Sequence, residues 1–126
     1  MKSIIYSKNA PAPIGPYSQA VKAGNMLYIS GQIAIDPVNQ QLIDGSIEDE
    51  TGQVMQNIEA LLVASGFSFA EIVKTSIFLS DMKHFTKVNE IYGSFFKSDY
   101  PARETVAVLG LPKNVNVEIS VIAYKA

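Results

Sequence analysis

One arginine and one glutamate near the end of the chain have types and spacing that suggest chemistry. Arg103 follows Pro101 on one apolar run, and Glu118 lies on the next, with the breaker segment 110–114 between them. A guanidinium in a strand can donate two parallel hydrogen bonds to one carboxylate. A glutamate facing the same space can accept a proton or hold a water. The alternative for such a pair is a plain cross-strand ion pair on a solvated face.

Period-two alternation predicts a strand on each side of the breaker segment. In the first strand Arg103 and Thr105 share a face with small neighbours, and Glu104 points to the other face. In the second, over residues 115–124, Glu118 lies mid-strand on the more polar face. The two strands are candidate neighbours in one sheet, and the sequence leaves open whether they pair directly.

The first third of the chain predicts a β-rich segment. A short strand over 4–6 leads to a stiff loop with three prolines over 9–16, which presents Tyr17 and Ser18. Strands over 19–22 and 26–33 then form a hairpin. Alternation in the second of them puts Met26, Tyr28, Ser30 and Gln32 on a polar face suited to a pocket, and Gly31 on the opposite face. A glycine inside a strand marks a bulge or a close backbone approach to a ligand.

Two amphipathic helices and one strand are predicted in the middle of the chain. Ser46 is an N-cap candidate for a helix that Gly66 ends, and its apolar stripe is typical of a core-facing helix. A well-covered strand over 72–80 follows, and Asp81 caps a second helix that frays over 97–99. Asn89 lies off the apolar stripe of that helix, where an asparagine is normally solvated, and His84 is expected at the surface rather than as a metal ligand.

Composition limits the classes of protein. A chain of 126 residues with 48% hydrophobic and 17% charged residues fits one globular domain, expected over 1–126. The net charge of −2 and the scattered lysines argue against nucleic acid as a partner. The absence of cysteine excludes disulfides and thiol chemistry. No apolar run reaches membrane-spanning length and the N-terminus lacks a signal-peptide pattern, so we expect a cytoplasmic protein with no membrane partner.

These elements predict an α+β domain: a single mixed β-sheet with two helices packed on one face. Several strands carry apolar residues on both sides, so the second face of the sheet also needs cover. A large apolar patch in water argues for self-association.

The spaced motifs resemble the RidA/YjgF family, the reactive-intermediate (enamine/imine) deaminases, over nearly the whole chain. They are, in order, the segment 10–20, Tyr28-Ile29-Ser30-Gly31-Gln32 with Asp36-Pro37, Asp81-Met82 with Phe85 and Val88-Asn89, Pro101-Ala102-Arg103, Leu111-Pro112-Lys113, and Val117-Glu118-Ile119.

The resemblance implies a chorismate-mutase-like fold that assembles as a homotrimer with sites in the clefts between subunits. It implies hydrolysis of 2-aminoacrylate and 2-iminobutyrate to 2-oxo acids and ammonia, with no metal and no organic cofactor. By resemblance, Arg103 clamps the substrate carboxylate, assisted by Thr105 and by backbone near Gly31, and Glu118 orients or deprotonates the attacking water. The remaining pocket residues, which shape and close the site, are Tyr17, Ser30 and Asn89.

Three positions depart from the family pattern, and one rival class stays open. Glu104 replaces a small residue, Thr105 stands where many members have cysteine, and Ser120 replaces a second acid. The rival is a non-catalytic trimeric module that binds small 2-oxo acids or a protein partner in a regulatory role. Glu118 separates the two classes, because a pure carboxylate binder gains nothing from a second negative charge beside an anionic ligand.

Overall fold

A six-stranded mixed sheet forms the centre of the molecule in the computed structural model, which describes residues 1–126. The strands are β1 (Lys2–Ile5), β2 (Ala20–Ala23), β3 (Met26–Gln32), β4 (Ile35–Asp36), β5 (Gln41–Leu42), β6 (Ile72–Leu79), β7 (Ala102–Ala107) and β8 (Val117–Tyr124). The main sheet has the order β1-β2-β3-β8-β6-β7, and β4 pairs with β5 separately. Only β6 and β7 are parallel, while every other neighbouring pair is antiparallel.

The two predicted helices both pack on one face of this sheet. Helix α1 spans Ile47–Ala64 and begins at Ser46, whose Oγ accepts a hydrogen bond from the Asp49 amide at 3.1 Å in a capping box. Gly66 follows its end with φ +76°. Helix α2 spans Phe85–Gly93, after a 3₁₀ turn that Asp81 caps. It ends at Gly93, earlier than the predicted fraying at 97–99.

The core lies between the helices and the sheet. The predicted stripe of α1 is buried there, and the side chains of β8 that face it are at most 3% exposed; the latter are Val117, Ile119, Val121 and Ala123. Asn57 was not expected in this core but is 1% exposed. Its Nδ2 donates to the carbonyls of Ile33 and Ile35 at 3.1 and 3.0 Å, which satisfies the buried amide and holds the chain that follows β3.

The last two strands lie in one sheet but do not pair directly, a point that the sequence left open. β6 lies between β7 and β8 and pairs with both. The connection from β6 through α2 to β7 is a crossover that places two parallel strands side by side, and β8 then returns antiparallel on the other edge of β6.

Residues 29–32 form a β-bulge that reverses the predicted faces of Gly31 and Gln32. Ile29 pairs with Val121, and Gln32 pairs with Ile119, so three steps on β3 match two steps on β8. Gln32 therefore turns to the buried side and Gly31 turns away from it. The strict alternation assumed from the sequence holds only up to Ile29.

No element of the chain covers the other side of the sheet, which we call the open face. It carries Glu118, Ser120, Ser76 and Glu104, together with apolar side chains that are 43–56% exposed, namely Ile4, Tyr28, Tyr124 and Val106. Neither helix has the length and apolar character of a membrane span.

Candidate functional site

A cavity of about 350 Å³ lies where β3 ends and β8 begins. Glu118 contributes its carboxylate to this cavity, and most of the remaining walls are apolar or amide groups. The lining includes Pro11, Ala12, Ile14, Tyr17, Ser30, Gly31, Gln32, Ile33, Ile35 and Pro112. Of the predicted site residues, the cavity thus collects Glu118, Gly31, Ser30 and Tyr17.

The Glu118 carboxylate has no hydrogen-bond partner and no ion-pair partner within the chain. Partial burial without a compensating charge disfavours the ionised form, so burial raises the pKa of the Glu118 carboxyl. A carboxyl with a raised pKa that faces a cavity is suited to take up and return a proton.

Gly31 packs directly against this carboxylate because of the bulge. A Cβ atom at position 31 would overlap Glu118 Oε2 and would lie 2.8 Å from Cδ. The backbone at residue 31 has no positive φ, so the close approach, rather than the backbone conformation, favours glycine. The bulge that the sequence offered as one explanation of Gly31 is present, and the backbone there closely approaches the Glu118 side chain.

Tyr17 and Ser30 are both tied to the segment 7–18, which we call the proline loop. The Tyr17 hydroxyl accepts a hydrogen bond from the Ile14 amide at 3.2 Å. The Ser30 hydroxyl donates to the Ser18 carbonyl at 2.6 Å. Ser30 thus uses its proton on the loop, and its oxygen retains only acceptor capacity toward the cavity.

Arg103 lies in a second cleft, beside α2. Its Nη1 donates to Asn89 Oδ1 at 2.6 Å, and its guanidinium carbon is 5.2 Å from the ring centre of Tyr92 and 5.8 Å from that of Phe85. Arg103 has no carboxylate partner within the chain. These aromatic neighbours differ from the small neighbours predicted from alternation, because the facing helix, not the strand, supplies them. The group is an oriented cation with donors left for an anion.

Tyr92 holds the aromatic wall of this cleft in place. Its hydroxyl donates to Thr75 Oγ1 at 2.9 Å in the buried interior. Burial raises the pKa of the Tyr92 hydroxyl, while the Thr75 bond and the Arg103 charge act in the opposite direction. Tyr92 was not predicted as a site residue, and its position one turn from Asn89 on α2 was the signal for this role.

Thr105 lies on the same face as Arg103, opposite Ile77 of β6. Its buried Oγ1 has no hydrogen-bond partner. Glu104 points away from Arg103, as predicted, and its carboxylate accepts hydrogen bonds from the Ser76 hydroxyl and from Lys74 Nζ. The Ser76 bond, followed by Lys74, lowers the pKa of the Glu104 carboxyl. Glu104 therefore does not compete for the Arg103 guanidinium.

The structure places Arg103 and Glu118 on opposite faces of the sheet. Arg103 pairs with Thr75 of β6, whereas Glu118 pairs with Phe78. Thr75 and Phe78 are an odd number of residues apart, and paired residues share a face, so the two functional side chains point away from each other. The expectation that both face one space within a single chain is wrong, and so is the alternative of an ion pair between them.

Two glutamines at the first cavity were not named as catalytic or substrate-binding residues, although Gln32 was placed on the face suited to a pocket. Gln32 is 6% exposed and donates to the Ser30 carbonyl at 3.0 Å. Gln19 is 2% exposed and bonds to the backbone of the proline loop. Gln32 lies in a strand with apolar neighbours and Gln19 lies directly before one, and these positions are the signal for both. No group of three or more acidic, histidine or cysteine side chains comes together as metal ligands.

Comparison with known proteins agrees with this architecture. The family model described as endoribonuclease L-PSP matches residues 7–125. A RutC family protein of Pyrococcus horikoshii is 51% identical over 125 residues, 99% of each chain. The human 2-iminobutanoate/2-iminopropanoate deaminase is 43% identical over 123 residues, 98% of this chain and 90% of the human protein.

A solved structure shows the same fold. The crystal structure of YyfA, a protein of the conserved Rid family from Yersinia pestis, superposes with a TM-score of 0.96 at 48% identity and covers 99% of this chain and 100% of the other. The resemblance seen in the spaced motifs is therefore confirmed along the chain. The chain belongs to the RutC/RidA family, which the endoribonuclease L-PSP model describes.

Proposed function

We propose that this protein is a hydrolytic deaminase of reactive enamine and imine acids, in particular 2-aminoacrylate and 2-iminobutyrate. The observation that carries the proposal is the unpaired Glu118 carboxylate, which packs against Gly31. Burial raises the pKa of this carboxyl. A human relative named for this reaction supports it. In water the net reaction adds H₂O to the C=N bond and releases a 2-oxo acid and ammonia.

The working site is proposed to form between two copies of the chain. Arg103 and Glu118 face opposite sides of one sheet, so a substrate that touches both needs residues from two chains. Arg103 lies on β7, the edge strand, where a neighbour has access. The open face, with its exposed apolar side chains, offers the surface for association. A homotrimer of the family type satisfies these requirements with three equivalent clefts.

Each residue then has a defined role. Arg103, oriented by Asn89, donates its remaining N–H groups to the substrate carboxylate, with Thr105 beside it. Glu118 takes a proton from water as the water oxygen bonds to the carbon of the protonated imine, and it returns that proton to the nitrogen. As the C–N bond then breaks and ammonia leaves, Glu118 accepts the proton of the added hydroxyl, which becomes the carbonyl of the 2-oxo acid, and releases that proton to solvent. Tyr17, on the proline loop, and Ser30 bound the cavity on the Glu118 side, and the backbone at Gly31 lies beside the reacting carbon.

The rival binding module uses the same Arg103 but has no use for Glu118. The endoribonuclease description of the family model finds no support in the charge of this chain, because a net charge of −2 gives no footprint for a polyanion. Chemistry at a small carboxylic acid fits the pairing of one guanidinium with one carboxyl better than either alternative.

The test is release of ammonia and 2-oxo acid from 2-aminoacrylate or 2-iminobutyrate generated in situ by a serine/threonine dehydratase. Wild type is expected to accelerate release over the spontaneous rate. Arg103→Ala is expected to lose roughly two orders of magnitude in kcat/KM, since two charge-assisted hydrogen bonds disappear. Glu118→Ala is expected to bind 2-oxobutyrate but not to deaminate. Failure of folded wild type to accelerate release from both substrates would favour the binding module.

A further inference from the structure

The proline loop forms one wall of the Glu118 cavity without any regular secondary structure of its own. It supplies Pro11, Ala12, Ile14 and Tyr17 to the lining. Its prolines have no N–H to donate, so the loop makes few internal backbone bonds. A wall of this kind keeps its shape only if side chains elsewhere hold it.

Gln19 is the side chain that holds the base of the loop. Its Oε1 accepts from the Ser7 amide at 2.7 Å, and its Nε2 donates to the carbonyls of Pro11 at 2.8 Å and Ser7 at 3.0 Å. A longer contact reaches the Ala10 carbonyl at 3.3 Å. All partners are backbone groups 8–12 residues away in the chain. The carboxamide therefore replaces the hydrogen-bond ladder that this segment lacks.

The backbone of Gln19 also connects the loop to the bulge. Its carbonyl accepts from the Ser30 amide at 3.0 Å, one residue before Gly31. Gln19 therefore holds the loop with its side chain and the backbone next to Gly31 with its carbonyl. The tip of the loop is held by a weaker, exposed hydrogen bond, which the Ala12 amide donates to Gln40 Oε1 at 3.2 Å.

We propose that Gln19 is a positioning residue that fixes the proline loop, and with it Tyr17, against the Glu118 cavity. The expected change in KM rests on the proposed deaminase function, whereas the position of the loop does not. The loop touches the parts of the substrate that do not react, so loss of its position weakens binding of ground and transition states alike. The expected signature is a raised KM with a nearly unchanged kcat.

Gln19→Glu tests this with a side chain of the same shape that places an acceptor where Nε2 donates. We expect trypsin to cut after Lys8, inside the held segment, about tenfold faster than in wild type, because lost loop hydrogen bonds raise the open population. We expect KM for 2-iminobutyrate to rise by about the same factor while kcat stays within roughly threefold. Gln19→Met, which removes both functions of the amide, should behave likewise.

Two controls separate positioning from general destabilisation. Gln40→Ala removes the exposed hydrogen bond to the Ala12 amide. The rate of trypsin cleavage after Lys8 and the KM for 2-iminobutyrate should both stay close to the wild-type values. Val54→Ala shortens a fully buried side chain on α1 that makes no hydrogen bond to the loop. It should lower thermal stability without a selective increase in cutting at Lys8. A Gln19 variant that loses thermal stability as Val54→Ala does, without a selective increase in cutting after Lys8, would show a merely structural role and overturn the proposal.

A measurement on wild type decides the matter even if both Gln19 variants fail to fold. The Ser7 amide lies outside every strand, yet it should exchange its hydrogen as slowly as amides of the core strands, because Gln19 Oε1 holds it. Exchange at the rate of an unbonded loop amide would refute the proposal. Proteolysis and exchange need no substrate, so an inactive wild type would contradict the proposed function and leave these two results to decide on Gln19.

Discussion

Replacing Gly31 by alanine should separate activity from stability. The new Cβ would overlap Glu118 Oε2 and lie 2.8 Å from Cδ, whereas ordinary contact begins near 3.4 Å. The carboxyl carbon must therefore retreat by about 0.6 Å, and the nearer oxygen by roughly 1 Å. A displacement of that size in a reacting group costs on the order of 10²-fold in rate. We expect kcat/KM to fall by about that factor, equivalent to about 2.7 kcal/mol.

The same substitution should leave the fold nearly as stable as before. The crowded atoms belong to the flexible end of one side chain, and the backbone at residue 31 does not require a positive φ. Alanine also lowers the entropy of the unfolded chain, which contributes about 0.4–1 kcal/mol in its favour. Thermal unfolding should shift by no more than about 4 °C in either direction.

The assay is coupled 2-oxo acid release together with thermal unfolding, and Gly52→Ala is the matched control. Gly52 lies inside α1, and a Cβ there meets no atom within 4 Å. Gly52→Ala should stabilise the protein by about 1 kcal/mol with unchanged kcat/KM. Glu118→Gln should cost less in the Gly31→Ala background than in wild type, because both changes act on one group. A Gly31→Ala protein with kcat/KM within about threefold of wild type would refute the reasoning.

Four further variants test the Glu118 cavity and the Arg103 cleft. Because burial raises the pKa of the Glu118 carboxyl, kcat/KM of wild type should fall as the pH drops through that raised pKa, and Glu118→Gln should give a low, flat profile of kcat/KM against pH. The same raised pKa means that the folded protein loses stability as the pH rises through it. The free energy of unfolding of Glu118→Gln should therefore lack this pH dependence. Asn89→Asp should raise KM at least about tenfold, measured by steady-state kinetics, because a carboxylate at that position pairs with Arg103 and repels the substrate. Tyr92→Phe should keep KM and lose about 1 kcal/mol in unfolding free energy with the Thr75 bond, whereas Tyr92→Leu should raise KM several-fold as the cation–π contact disappears.

Local chemistry in the sequence was enough to predict both helices and the six strands of the main sheet, but not β4, β5 or the end of α2 at Gly93. Ser46 followed by Asp49 gives the start of α1, and Asp81 gives the turn before α2, because both caps depend on side chains within three residues. The apolar stripe of α1 gave its buried face for the same reason. These signals are contained in single turns of the chain, and the structure confirms them.

Features set by contacts between distant segments were not predictable. Whether β7 pairs with β8 or with β6 depends on the crossover through α2, which no residue of either strand encodes. The bulge at residues 29–32 adds one residue to β3 relative to β8, and that count exists only once the two strands are paired. The separation of Arg103 from Glu118 follows from the place of β6 between β7 and β8 and from its register with each strand, which the sequences of β7 and β8 alone do not show.

Buried amides were the other omission. Neither Asn57 nor Gln19 was singled out from the sequence, yet each is at most 2% exposed and satisfies backbone groups of a distant segment. Asn57 sits three residues after Val54 on the buried stripe of α1, a position that favours an internal role. For Gln19 only its place beside the apolar run of β2 gave a hint.

The central claim is that one working site takes Arg103 from one copy of the chain and Glu118 from another. The direct test is to unfold Arg103→Ala and Glu118→Ala proteins together in equal amounts, refold them as a mixture, and measure 2-iminobutyrate deamination. In a ring of mixed subunits about one quarter of the clefts contain both native residues. We expect about a quarter of wild-type activity from the mixture, and almost none from either variant refolded alone. A mixture as inactive as its components would contradict the shared site.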